Sequence, residues 1–222
     1  MANTTTLPEK PVKPRNAASL VIIDTTEDEP RILMGRRHAR MKFVPDAFVF
    51  PGGKLDPDDF NAQPATPLHE TAYLGTDSKR LARSLAMAAI RETFEETGFL
   101  LAKEGSVGDT AGPSWAHFRE AGIAPDLAAI EGIARAITPP QSPIRFHARF
   151  FSCKADQLTG TLKGSGELED LDWYPISQAL KLPVIDVTEF VLHEVRNIHN
   201  SGVKRERPPL FSYRNNKPII RV

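Results

Sequence analysis

The residues of this 222-residue chain whose types and spacing suit chemistry are Arg91-Glu92-Thr93-Phe94-Glu95-Glu96-Thr97-Gly98. On a helix of 3.6 residues per turn, Glu92, Glu95 and Glu96 fall within roughly 100° of one another, while Met87, Ile90 and Phe94 cluster on the opposite side. One face suits a core and the other concentrates acid. Like charges at i, i+3 and i+4 repel by about 0.2–0.5 kcal/mol per pair, and these three crowd a helix C-terminus, where the macrodipole disfavours anions. A hard divalent cation, Mg2+ or Mn2+, relieves both penalties because it takes oxygen ligands and completes its shell with water or substrate phosphate. Arg91 can pair with Glu95 at i+4 and hold one carboxylate in position. The alternative for the same residues is a solvated acidic face.

The elements that must carry this segment follow from the local pattern. A run rich in Ala, Leu, Arg and Glu, capped by Asp77 or Ser78, predicts a helix ending at Thr97, with Gly98 stopping it. Upstream, Ser19–Asp24, Arg31–Arg37 and Ala47–Phe50 predict three strands, the last running into a sharp turn at Pro51-Gly52-Gly53. Residues 56–77 hold Pro, Asp, Gly and Thr without sustained periodicity and predict a long excursion with one short helix near Leu68–Tyr73. Asp126–Ala136 reads as helix, although Ile130, Ile133 and Ile137 fit a strand at its end. Ile144–Ser152 and Asp172–Tyr174 predict strands, and Thr188–His199 an amphipathic helix. Residues 1–16, with Pro8, Pro11 and Pro14, predict a flexible tail, and residues 204–222, rich in Lys and Arg, a basic C-terminal extension strapped to a domain spanning 17–203.

Composition narrows the class. Hydrophobic residues at 41% and charged residues at 25% describe a globular chain. The 28 basic and 28 acidic side chains cancel, so no global field draws nucleic acid or an anionic membrane, and phosphate binding must be local. No apolar run reaches the ~20 residues of a membrane span, and the first residues lack a signal-peptide core. The lone Cys153 cannot form an internal disulfide and reads as a packed thiol of a reducing, cytoplasmic compartment.

Gly53, followed by Lys54 to Asp58 and then Asp59, together with Arg91-Glu92-Thr93-Phe94-Glu95-Glu96-Thr97-Gly98-Phe99, resembles the Nudix hydrolase signature. Asp59 stands where that pattern has its first Glu, and residues 60–90 make a much longer interval than usual. Both departures resemble the long-insert subgroup that includes coenzyme A diphosphatases. Phe48-Val49-Phe50-Pro51-Gly52-Gly53-Lys54-Leu55-Asp56, Arg145-Phe146-His147-Ala148-Arg149-Phe150-Phe151 and the stretch Gly166–Leu180 resemble it too, so the likeness spans roughly residues 17–200.

The resemblance implies an α+β fold, an α/β/α sandwich around a mixed sheet, with an insertion at about 60–77. It implies hydrolysis of a diphosphate linkage by an enzyme using Mg2+ or Mn2+. Glu92, Glu95 and Glu96 would supply ligands, the bare backbone of Gly53 a carbonyl, and Arg91 the orientation. The general base stays open between Glu92 and a carboxylate of Gly166–Asp172, Glu167 first among them. For the substrate phosphates the candidates are Arg37 and Lys54 beside the glycine turn and Arg145 and Arg149, which share strand parity with His147.

The implied substrate is a small-molecule diphosphate, coenzyme A or an acyl thioester first. Nucleoside diphosphate sugars, dinucleoside polyphosphates and oxidised nucleotides stay open, as does a non-catalytic Nudix-fold binding module. The insertion is expected to shape substrate choice or a homodimer contact. His193-Glu194 and His69-Glu70 each open like a zinc-protease helix but lack the second His, so zinc catalysis is not expected.

Overall fold

The computed structural model describes residues 12–222 other than 42, 204 and 206. Residues 1–11 of the expected tail lie outside the described residues. Its last two residues do not behave as tail: β1 (Arg15–Asp24) starts at Arg15 because it runs parallel to β9 (Phe146–Lys154) from Arg15↔Phe146 to Ile23↔Lys154. Parallel pairing spends the main-chain groups of Arg15 and Asn16, which a hydropathy pattern does not register.

A nine-stranded mixed sheet organises the molecule. Its main path places β11 (Leu168–Pro175) at one edge, then β2 (Arg31–Arg37), β1, β9, β8 (Glu131–Ile137), β12 (Leu210–Arg214) and β13 (Lys217–Arg221). Two short strands hang on this path, β3 (Phe48–Val49) on β2 and β4 (Gly52–Lys54) on β1. The glycine turn is therefore itself a strand, held by Ala18↔Gly53 and Ser19↔Gly52. Two ribbons lie beside the sheet, β5 (Phe99–Leu100) with β10 (Thr159–Gly160) and β6 (Ala102–Glu104) with β7 (Ile123–Pro125).

Helix α1 (Lys79–Thr97) packs on one face and α4 (Asp186–Ser201) on the other, with α2 (Ala116–Glu120) and α3 (Ile176–Ala179) as short supports. Strand alternation divides the core accordingly. Ala18, Leu20 and Ile22 join Leu85, Met87 and Ile90 of α1, whereas Val21, Ala148 and Phe150 join Phe190, Leu192 and Val195 of α4. Leu85, Met87 and Ile90 are at most 1% exposed, so each contributes about 1.5–3 kcal/mol of burial. This layering is the expected α/β/α sandwich.

Two expectations need correction. Asp126–Ala136 forms no α-helix: a 3-10 turn at Leu127–Ala129 precedes β8, which carries Ile133 and Ile137 and pairs Ile137 with His147 of β9. The C-terminal stretch is no strap, since β12 and β13 extend the sheet, β12 running parallel to β8 through Leu210↔Arg135 and Phe211↔Ala136. In the insertion, the short helix is a single 3-10 turn, Glu70–Ala72. No helix among the described residues is long and apolar enough to cross a membrane.

Candidate active site

Helix α1 delivers its carboxylates through well-formed ends. Ser78 Oγ accepts from the Leu81 N–H at 3.2 Å, and Gly98, at φ 75°, closes the helix with its N–H donating to the Phe94 carbonyl at 2.8 Å. That geometry lays the last two turns against β4. The Gly52 N–H donates to Glu96 Oε2 at 2.8 Å. A Cβ on Gly53 would sit 2.3–2.5 Å from the Glu92 carboxylate atoms, so only a bare backbone can approach Glu92 this closely.

Arg91 is the hub. Its Nε and Nη2 donate to the two oxygens of Asp59 at 2.8 and 3.1 Å, its Nη1 to Glu92 at 2.9 Å and Glu95 at 3.0 Å, and Nη2 also to the Lys54 carbonyl at 3.1 Å. Asp59 is fully buried and also accepts from the Asp56 N–H at 2.8 Å. Burial pushes the Asp59 carboxyl up, while the Arg91 pair and the Asp56 amide pull it down; Arg91 itself is driven further into its charged form by its acidic partners. Asp59 thus anchors Arg91, which in turn fixes Glu92 and Glu95.

A cavity of about 330 Å³ opens at this point. Glu92, Glu96 and Glu167 line it together with Gly52, Gly53, Lys54 and Arg37. Burial raises the Glu96 carboxyl to about 8; the Gly52 N–H and Arg37 oppose the shift, and Glu92 and Glu167 add to it. Burial also raises Glu92 and Glu95, with Arg91 opposing. The far wall is apolar and aromatic, with Phe43 and Phe146 in edge contact at 5.0 Å between ring centroids. Asp186, at the start of α4, accepts a hydrogen bond from the Tyr213 hydroxyl on the same wall.

The sequence candidates divide clearly. Glu92, Glu96, Gly53, Glu167, Arg37 and Lys54 line the cavity, and Arg91 stands behind it. Glu95 does not line it: its side chain is 41% exposed against 17% for Glu92, and Arg91 holds it outside. Arg149 does not line it either, because odd-numbered positions of β9 point to the sheet face opposite Ala148 and Phe150, and Arg145, just before β9, donates instead to the Thr138 and Val12 carbonyls. Arg36 is occupied by Asp46, Glu169 and Asp170. Missed by sequence reasoning were Phe43, Phe146, Asp186 and Tyr213; the run of Phe residues around Phe146 was the available signal, whereas Asp186 and Tyr213 meet only through the unforeseen β12.

Among the described residues, no three His, Cys, Asp or Glu side chains converge as a finished metal cage. The donor set nonetheless fits a hard cation: three carboxylates line one cavity, burial penalises the charged forms of Glu92 and Glu96, and among the described residues the Gly52 N–H is the one hydrogen-bond donor to Glu96.

Comparison with known proteins agrees with this architecture. No family model matches the chain. The crystal structure of a NUDIX hydrolase from Alicyclobacillus acidocaldarius is 31% identical, covering 82% of this chain and 90% of that one at a TM-score of 0.62. The chain belongs to the Nudix hydrolase family. A Caenorhabditis elegans protein named as a nudix hydrolase is 28% identical over 171 residues, 72% of this chain and 50% of the relative, so the chain spans about half the length of that curated relative. The NUDIX domain of Shewanella oneidensis NrtR, complexed with ADP ribose, shares the fold at 12% identity and a TM-score of 0.50, covering 84% of this chain and 88% of that one.

Proposed function

We propose that this chain hydrolyses the diphosphate linkage of a nucleoside diphosphate derivative, with Mg2+ or Mn2+ held by Glu92, Glu96 and the Gly53 backbone. The supporting observation is that Glu92, Glu96 and Glu167 line one cavity at the doubled-glycine strand, opposite an apolar wall. When bound, a divalent ion neutralises diphosphate oxygens and favours in-line attack by water.

The chain's own groups supply the rest. Glu92 and Glu96 provide negative charge, and Arg91, locked by Asp59, fixes Glu92. Glu167 accepts the proton of the attacking water as its oxygen bonds to one phosphorus. The bridging P–O bond breaks, and the two halves leave as phosphate monoesters. Arg37 and Lys54 contact the phosphate oxygens, and Glu95 steadies Arg91 from the solvent side rather than ligating. The wall of Phe43 and Phe146 takes an apolar or planar substituent.

Coenzyme A and its acyl thioesters stand first among substrates on the sequence resemblance, and the apolar wall suits their thioester arm. Other nucleoside diphosphate compounds, ADP-ribose and dinucleoside polyphosphates included, form the second reading. The test is product release from a panel of these compounds with Mg2+, with Mn2+ and with EDTA. Metal-dependent cleavage at the diphosphate, lost in Glu96→Gln, is expected. No cleavage of any member would favour a non-catalytic binding module instead.

A further inference from the structure

The two arginines that the main cavity leaves out sit on the other face of the sheet in an unusual setting. Arg149 is 3% exposed, yet among the described residues its Nη1 reaches only neutral acceptors, Asn16 Oδ1 and the His147 carbonyl, both at 2.8 Å. Its cross-strand partner is Arg135, a second cation on the same face. No ion pair joins Arg135, Arg145 or Arg149 to a carboxylate among the described residues. The Nε atoms of Arg135 and Arg149 and Nε2 of His147 are buried without a hydrogen-bond partner among the described residues. Burial and the neighbouring Arg135 lower the Arg149 guanidinium to about 10, and burial with both arginines lowers His147 to about 4.

The charge continues sideways. Arg135 pairs with Leu210 of β12, which pairs with Arg221 of β13. Leu210 and Arg221 line a second cavity of about 210 Å³ together with Arg145 and with Ser212, whose buried hydroxyl also lacks a partner among the described residues. Buried charges in folded proteins are paired with opposite charge, because removing them from water is otherwise too costly. Here the compensating charge does not come from the described chain.

We propose that Arg135, Arg149 and His147, continued by Arg145 and Arg221, form a second anion site that takes a phosphate group, separate from the carboxylate cavity. Guanidinium forks match the tetrahedral oxygens of phosphate, and several cations on one face suit a dianion better than a halide. Free inorganic phosphate and the phosphate of a small phosphorylated molecule share this chemistry.

The test is thermal unfolding of the full chain in EDTA at constant ionic strength, with inorganic phosphate or glycerol phosphate as probe. Binding at a hundredfold excess over Kd raises Tm by about 5–10 °C for a chain of this size. A shift with inorganic phosphate assigns the site to free phosphate, and one confined to the monoester assigns it to a phosphorylated molecule. Arg135→Gln and Arg149→Gln should each lose most of the shift, and Glu96→Gln should keep it. Should Arg149→Gln fail to fold, the half-buried Arg135 decides the matter. The proposal is overturned by no shift with either probe, by an equal shift in Arg135→Gln, by an equal shift with chloride, or by loss of the shift in Glu96→Gln. None of these readouts is turnover, so the outcome is independent of the proposed hydrolysis.

Discussion

Adding one methyl group at Gly53 tests the closest contact in the proposed site. Its Cβ would meet Glu92 Cδ at 2.3 Å and the two carboxylate oxygens at 2.4 and 2.5 Å. Ordinary carbon contacts need about 3.5–4 Å, so the carboxylate must retreat by about 1 Å. That retreat breaks the 2.9 Å bond from Arg91. Because the clash falls on the mobile end of a side chain and Gly53 has no left-handed φ, the fold should lose no more than about 1 kcal/mol. Misplacing a group of the reacting constellation by about 1 Å costs about 100-fold in rate, or about 2.7 kcal/mol. Gly53→Ala should therefore unfold within a few degrees of the parent while kcat falls about 100-fold. Gly52→Ala is the contrast: at φ 154° its Cβ would meet the Ala18 carbonyl at 2.5 Å, so stability falls first. Steady-state kinetics with Mn2+ and a melting curve on each variant give both numbers. A Gly53→Ala enzyme with parental kcat would refute the claim that Glu92 must stay where the bare backbone lets it stand.

Asp59→Ala takes away the two-oxygen partner of buried Arg91, which keeps Glu92 and Glu95, and should cost about 3 kcal/mol, seen as a drop in denaturant midpoint at unchanged m. The pH dependence of stability carries the signature of His147, whose folded pKa of about 4 lies below the ordinary 6.5. Between those values the unfolded chain binds the extra proton, so stability is full above pH 6.5 and falls as pH drops toward 4, by about 1–2 kcal/mol after allowing for partial exposure. His147→Gln should flatten that slope in melting curves taken from pH 4 to 7. Phe43→Ala should raise KM for substrates with an apolar arm by about 10-fold with kcat nearly intact, from the burial lost at the Phe43–Phe146 contact. Burial drives the Cys153 thiol well above its ordinary pKa, so a disulfide reagent should label it only after unfolding.

Much of the site was legible because it is local. The segment Arg91–Gly98 is one helix end, and its spacing alone sets Glu92 and Glu96 together. Glu95 lies outside the cavity: helical spacing says which residues share a face but not that Arg91 holds one of them toward solvent. Arg149 shares its strand parity with His147 as expected, yet nothing in the sequence said that the opposite face of β9, with Ala148 and Phe150, lines the cavity. The basic C-terminus read as an extension because β12 and β13 alternate weakly, and their pairing with β8 is a contact between distant segments. Asp186 and Tyr213 stayed invisible for the same reason. Cys153 and the caps of α1 needed only local rules, and these matched.

The central claim is that Glu92 and Glu96, set against Gly52 and Gly53, bind a divalent cation. Titrating the metal-free chain with Mn2+, and following free ion by electron paramagnetic resonance, tests it without any substrate. Saturable Mn2+ uptake by the parent, weakened at least 10-fold in Glu92→Gln and in Glu96→Gln at unchanged Tm, is the predicted result. No uptake, or uptake indifferent to both substitutions, would contradict it.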